Sequence, residues 1–158
     1  MTGLEQMYQQ VLMDHARLPH GRGLVDSPSP AVGESHQVNT TCGDEIRLRV
    51  GIDGDRIASL SWEGQGCSIS QASASVLFDL IDGTSIDEAT RVEAAFAELM
   101  RSRGEFPEGV DEDILGDATA FVGVGKYPAR IKCALLSWMA LKDALIQARG
   151  ASNKEGNA

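Results

Sequence analysis

Between Ile46 and Trp62 the apolar residues fall on every second position. Ile46, Leu48, Val50 and Ile52 alternate with Arg47, Arg49 and Gly51, and Ala58, Leu60 and Trp62 resume the alternation after Asp53-Gly54-Asp55. A strand turns successive side chains to opposite faces, so this period describes two half-buried strands. Glycine and aspartate tolerate the positive φ of a tight hairpin, which places the turn at Asp53-Gly54-Asp55. A further strand is expected through 35–39, giving an antiparallel meander of about three strands. A small sheet with one apolar face must be covered, and the remaining sequence supplies helices to cover it.

Leu4, Met7, Tyr8, Val11, Leu12 and Leu18 recur at helical spacing, predicting a first helix over 3–17 that Pro19 and Gly21-Arg22-Gly23 stop. Ser27-Pro28-Ser29-Pro30 reads as a loop. After Cys67 the helical period returns, with Ile69, Ala72, Val76, Leu80 and Ile81 on one face and Gly83 at the end. Ser85-Ile86-Asp87-Glu88 is a capping-box pattern opening a helix that faces Ala89, Val92, Phe96 and Leu99 inward. Residues 101–116 mix charge, Gly and Pro and read as a surface excursion with one short helical turn. Pro128 suits a first helical position, and Ile131, Leu135, Trp138, Leu141 and Leu145 give the last helix its core face. The expected architecture is α+β: a small antiparallel three-stranded sheet packed against about five helices. Residues 1–149 are expected to form a single domain and 150–158 a disordered tail.

At 158 residues the chain is long enough to bury a core without disulfides. Its 14 Lys and Arg stand against 23 Asp and Glu, a net charge of −9. That surface repels phosphate backbones and anionic lipid, arguing against nucleic acid and membranes as partners and for other proteins. The first residues carry neither a basic region nor an apolar core, which argues against a signal peptide and for the cytoplasm, where thiols stay reduced.

There are three cysteines, an odd number that cannot all pair within one chain. A lone free cysteine is most often a small buried hydrophobe, but the settings here are distinctive. Cys42 follows a predicted strand and precedes Gly43-Asp44. The glycine allows a tight turn, and Asp44 can then aim its carboxylate at the Cys42 sulfur. Cys67 follows Gly64 and Gly66 and opens a helix that Ser68 or Ser70 can cap. Cys133 lies in the first turns of the last helix. Helix N-termini carry partial positive charge, so these positions favour thiolates. Three thiolates and a carboxylate make four ligands, which suits tetrahedral zinc and also iron or an iron–sulfur cluster. Around Zn²⁺ that set is formally −2, and Arg130, three residues before Cys133 and on its helix face, is the expected balancing cation. His15, His20 and His36 lack ligand spacing and read as ordinary polar residues. The Gly123-Val124-Gly125-Lys126 stretch lacks the rest of a phosphate-loop motif.

Taken together, Asn39-Thr40-Thr41-Cys42-Gly43-Asp44, Gly64-Gln65-Gly66-Cys67-Ser68-Ile69-Ser70-Gln71-Ala72-Ser73-Ala74-Ser75 and Arg130-Ile131-Lys132-Cys133-Ala134-Leu135-Leu136-Ser137-Trp138 resemble the IscU/SufU (NifU N-terminal-like) family of iron–sulfur cluster assembly proteins. The resemblance extends to the opening helix. Lys132, where IscU-type scaffolds carry histidine, and the charged 101–116 insertion resemble the SufU branch. Thr40 stands where the family often has proline. The resemblance implies zinc held by Cys42, Asp44, Cys67 and Cys133; with the helix-face argument above, Cys42 and Arg130 are the expected working residues. It further implies that Cys42 takes persulfide sulfur from a SufS-type PLP-dependent cysteine desulfurase and passes it to a SufB-containing scaffold. The alternative is an IscU-like scaffold on which a labile iron–sulfur cluster is assembled. A closed four-coordinate zinc leaves no spare thiolate, so one ligand must leave for sulfur to be accepted. Cys42, on a glycine loop, is the ligand best able to move.

Overall fold

The computed structural model describes the backbone of residues 2–156 and side chains through residue 151. Helix α1 (Gly3–Arg17) is opened by the Thr2 hydroxyl, which accepts the Glu5 N–H. Strands β1 (Ala31–Asn39), β2 (Asp44–Asp53) and β3 (Arg56–Gln65) form one antiparallel sheet in the order β1-β2-β3. Helices α2 (Ser68–Ile81) and α3 (Ile86–Met100) follow, then the single turn α4 (Glu112–Leu115), a 3₁₀ segment (Gly116–Lys126) and the long α5 (Pro128–Gly156). The architecture is the expected α+β, with five α-helices against a three-stranded sheet.

Ile46, Leu48, Val50 and Ile52 all point into the core, as their alternation requires. The return strand departs from the expected pattern. Ala58 is exposed and Ile57 is buried, because the β2–β3 register slips between Gly51 and Ile52. A bulge inserts one residue and so exchanges the faces beyond it. Leu60 and Trp62, on the near side of the slip, face inward as expected. The Trp62 indole is fully buried and donates to the His20 carbonyl at 2.7 Å, tying the segment after α1 to β3. Trp62→Ala should cost about 3–5 kcal/mol, read as a lower urea midpoint. A loss below about 1 kcal/mol would mean that the cavity closes and that this anchor is dispensable.

Helix α5 is buried on more than the one face that Ile131, Leu135, Trp138, Leu141 and Leu145 describe. Ala140, Ala144 and Ala148 form a second stripe at helical spacing, all buried. It lies against β1, where a Cβ on Gly33 would meet the Ala144 carbonyl oxygen at 1.9 Å. A glycine in the strand and alanines in the helix let the two backbones approach closely. On its other side, the Trp138 indole stacks on Phe96 of α3 at 4.5 Å and donates to the Ser73 hydroxyl of α2. Helix α5 thus runs through the middle of the molecule.

Three further features were not evident in the sequence. Helix α1 buries little of its apolar face: Leu4, Met7 and Leu18 are exposed, Leu12 and Ala16 pack against the core, and its buried residue is His15. The stretch after α4 is an ordered 3₁₀ segment that buries Phe121 fully, with Leu115 just before it equally buried. Its Gly and Ala content hid it from helical periodicity. Helix α5 is described to Gly156, one internal glycine costing a helix only about 1 kcal/mol. Residues 157–158 lie outside the described residues.

Candidate metal centre

The centre is assembled where three chain segments open or close their elements. Asn39 and Asp44 pair as the last rung of β1–β2, so the Thr40 to Gly43 loop crosses the end of the sheet. The Asn39 side chain accepts the Thr41 N–H, and Gly43, at φ 77°, closes the loop with an N–H to the Asn39 carbonyl at 2.8 Å. The left-handed conformation is one that glycine adopts without strain. This turn leaves Cys42 exposed and Asp44 fully buried as the first residue of β2. Cys67 occupies the N-cap position of α2, so the expected cap from Ser68 or Ser70 does not form. The Ser70 hydroxyl instead donates to the Cys67 carbonyl. Cys133 sits within α5 and is buried.

Asp44 is the hub. Its Oδ1 accepts the Cys67 backbone N–H at 2.8 Å, and its Oδ2 accepts from the Cys42 Sγ at 2.9 Å. The Cys67 Sγ lies 3.7 Å from the same Oδ2. The Cys42 and Cys133 sulfurs are 3.4 Å apart and unbonded. Gly66, at φ 150°, leaves room for the carboxylate: a Cβ there would meet Asp44 Oδ1 at 2.2 Å. Ligand atoms of Cys42, Asp44 and Cys133 all lie within 4.8 Å of one another. With Zn–S bonds of about 2.3 Å, tetrahedral sulfurs stand about 3.8 Å apart, so these separations suit one small ion.

The electrostatics point the same way. Burial alone would raise the Asp44 carboxyl, but hydrogen bonds from Cys133, Cys42 and the Cys67 N–H hold it below the usual carboxylate range. Cys133 goes the other way. Burial first, then hydrogen bonding with Asp44, Cys42 and Cys67, pushes its thiol well above the ordinary value. The expected thiolate bias of the helix N-terminus is therefore overridden at Cys133. Adding negative charge beside Asp44 is unfavourable unless a cation shares the cluster, and a bound divalent ion reverses that preference. Cys42, Asp44 and Cys133 converge, Cys67 lies beside Asp44 outside that tightest group, and sulfur and carboxylate donors of this kind suit zinc.

Arg130 is not drawn into this cluster. Its guanidinium lies over the Tyr127 ring, 5.0 Å from the centroid, and the side chain is exposed. Among the described residues it makes no hydrogen bond to Asp44 or the cysteines. Residues 128–130 form the first turn of α5, where Tyr127 offers an aromatic face that competes for the cation. Of the histidines, His15 is buried and hydrogen-bonded, and the fold sets it beside His20 and Asp79. Asp79 is 59 residues beyond His20, and no local spacing signals their meeting.

The NifU-like N terminal domain family matches residues 7–134, a span that contains the whole centre. The chain belongs to that family. Among curated relatives of this NifU-like protein, the zinc-dependent sulfurtransferase SufU of Bacillus subtilis is 41% identical over 149 residues, covering 94% of this chain and 96% of the relative. The iron–sulfur cluster assembly scaffold protein IscU of Thermotoga maritima is 37% identical, covering 89% and 94%. Among solved structures, a candidate iron–sulfur cluster assembly scaffold protein for the SUF system from Fervidobacterium islandicum superposes with a TM-score of 0.77. It is 34% identical, and the match covers 90% of this chain and 99% of that one. The NifU-like fold and its place in iron–sulfur cluster assembly thus agree with the resemblance carried by the three cysteine motifs.

Proposed function

We propose that this protein is a zinc-dependent sulfur-transfer protein of SUF-type iron–sulfur cluster assembly. In this reading Cys42, Asp44, Cys67 and Cys133 hold Zn²⁺, and Cys42 accepts sulfur from a SufS-type PLP-dependent cysteine desulfurase for delivery to a SufB-containing scaffold in the cytoplasm. The observation that carries it is the convergence of the exposed Cys42 with Asp44 and Cys133. A buried carboxylate organises the cluster, while one thiol remains on an exposed turn. Bound zinc would supply positive charge that keeps the cysteines deprotonated and ordered.

The chain's own residues account for the acceptance step. The Cys42 thiolate attacks the outer sulfur of the desulfurase persulfide. A new S–S bond forms on Cys42, the enzyme's S–S bond breaks, and its electron pair leaves on the desulfurase cysteine as thiolate. Asp44 Oδ2, which accepts from the Cys42 Sγ, orients that side chain, and the thiol proton goes to solvent from the exposed turn before the attack. Arg130, at the rim on the first turn of α5, is assigned to the anionic persulfide that approaches.

A second reading, a scaffold carrying a labile iron–sulfur cluster on the same side chains, has support in the scaffold relatives. Lys132 favours sulfur transfer, because it is exposed and offers no ligand nitrogen beside Cys133 while charged. The decisive experiment combines metal analysis with persulfide mapping after incubation with desulfurase and cysteine. Sulfur transfer requires about one zinc per chain in colourless protein and sulfane sulfur on Cys42. Brown protein that donates a cluster to an apo-acceptor, with no sulfur on Cys42 in its zinc form, would replace this reading by the scaffold one.

A further inference from the structure

Among the described residues, two buried side-chain polar atoms have no hydrogen-bond partner: Gln71 Nε2 on α2 and Ser137 Oγ on α5. Gln71 is 8% exposed and Ser137 1%. Each lies four positions after a cysteine, Gln71 after Cys67 and Ser137 after Cys133. The Gln71 N–H bonds the Cys67 carbonyl at 3.2 Å, so one helical turn separates that pair. Residues four apart on a helix have Cβ atoms about 5–6 Å apart, and helical side chains lean toward the N-terminus. Both atoms therefore belong to side chains that cover the turn carrying a sulfur of the metal centre.

Ser137 does not take the partner that a helix offers its hydroxyls. Thr90 and Ser102 donate to the Ile86 and Leu99 carbonyls, a turn back, at 2.9 and 2.6 Å. The Ser137 hydroxyl makes no such bond. Leaving a buried donor unpaired is unfavourable, and each such donor calls for an acceptor from beyond the chain's ordinary bonds. The neighbouring sulfur becomes that acceptor when it holds a metal. As a thiol, the Cys133 Sγ donates to the Ala129 carbonyl at 3.5 Å. Bound to an ion, the sulfur carries no proton and accepts instead, with Ser137 one turn away on the same helix face. Gln71 stands in the same relation to Cys67.

We propose that Gln71 and Ser137 are positioning residues of the metal centre, the Gln71 amide donating to the metal-bound sulfur of Cys67 and the Ser137 hydroxyl to that of Cys133. This rests on the reading above that the cysteine centre holds zinc. Hydrogen bonds from such outer groups fix the direction of a ligand and tune the metal, and losing one costs affinity. Cys42 has no counterpart. It sits on a loop between two strands, and its sulfur neighbours a carboxylate and another thiol. The three sulfurs are thereby ranked: Cys67 and Cys133 are held on the ion from behind, and Cys42 is the one released to take sulfur.

The test compares wild type with Ser137→Ala and Gln71→Met, each of which removes a donor with little change of shape. With Co²⁺ in the cysteine centre, the sulfur-to-cobalt charge-transfer bands should move to lower energy in both variants, because a sulfur relieved of a hydrogen bond gives up an electron more easily. Release of zinc to a chelator should quicken about tenfold or more. Metal-free protein should show the opposite trend: with the unpaired atom gone, its urea midpoint should stay level or rise. A role in packing alone would lower that midpoint with or without metal. The proposal is overturned if the bands and zinc release match wild type, or if the metal-free midpoint falls along with zinc affinity. Wild-type protein that takes up Co²⁺ without sulfur charge transfer would overturn the cysteine centre itself, and this proposal with it.

Discussion

Cys42→Ala should leave a folded protein that holds zinc more weakly, no longer accepts sulfur and no longer stimulates a cysteine desulfurase. The effect is expected to be complete, down to the rate of the desulfurase alone, because Cys42 is the thiol carried on an exposed turn. Cys133 is buried, and its thiol is pushed upward by burial and by its anionic neighbours, so it is a poor nucleophile. Cys67 is exposed as well, but its sulfur is fixed at the N-cap of α2, 3.7 Å from the Asp44 carboxylate, rather than carried on a turn. The fold should survive because the Cys42 side chain is exposed and its turn is closed by Asn39 and Gly43 through backbone and Asx bonds. Labelled sulfur from cysteine, followed by mass mapping of persulfides, checks the assignment. Undiminished label on Cys67 or Cys133 in this variant would transfer the acceptor role to that residue.

Asp44→Ala should have the largest effect on metal retention. Asp44 is fully buried, hydrogen-bonds Cys42 and the Cys67 N–H, and has Cys133 in the same group. Removing it takes away one proposed ligand and leaves the Cys67 N–H without its acceptor. Orphaning that donor costs about 1–3 kcal/mol, and lost ligation should weaken zinc binding by at least roughly tenfold, as even outer hydrogen-bond partners of a metal site do. Asp44→Asn separates the two effects. The amide oxygen can still accept the Cys67 N–H, so stability should stay close to wild type while zinc is still lost to a chelator faster. Equal zinc retention in both variants and wild type would remove Asp44 from the ligand set.

The same residue sets an acid limit. Burial works to raise its carboxyl, but the cysteine hydrogen bonds prevail and hold the folded value below the unfolded one. Its ionised form therefore favours the folded state above the unfolded pKa of about 4. That contribution is lost as pH falls through the lowered folded value. Asp44→Asn should accordingly flatten the acid side of the stability profile.

The elements of the fold were legible because they rest on local periods. The Ile46–Ile52 alternation set β2 correctly, and Ser85 and Pro128 marked helix starts that the structure keeps. Ala58 was misassigned because a bulge changes strand parity without changing composition. The 3₁₀ segment was missed because a tight helix of small residues has no 3.6-residue signature. The apolar residues of α1 announced a helix but not how little of it would be covered, since burial depends on what the neighbours present.

The candidate centre divides along the same line. Residue type and neighbouring glycines singled out Cys42, Asp44, Cys67 and Cys133 from the sequence, because tight turns and helix starts are written in adjacent residues. Only the tertiary structure decided that Asp44 lies buried at their middle, that Cys133 is pushed toward its protonated form, and that Arg130 turns to Tyr127. It alone brought His15, His20 and Asp79 together from α1, a turn and α2. Charge, burial and convergence are set by groups distant along the chain, and those distances exist only once the chain has packed.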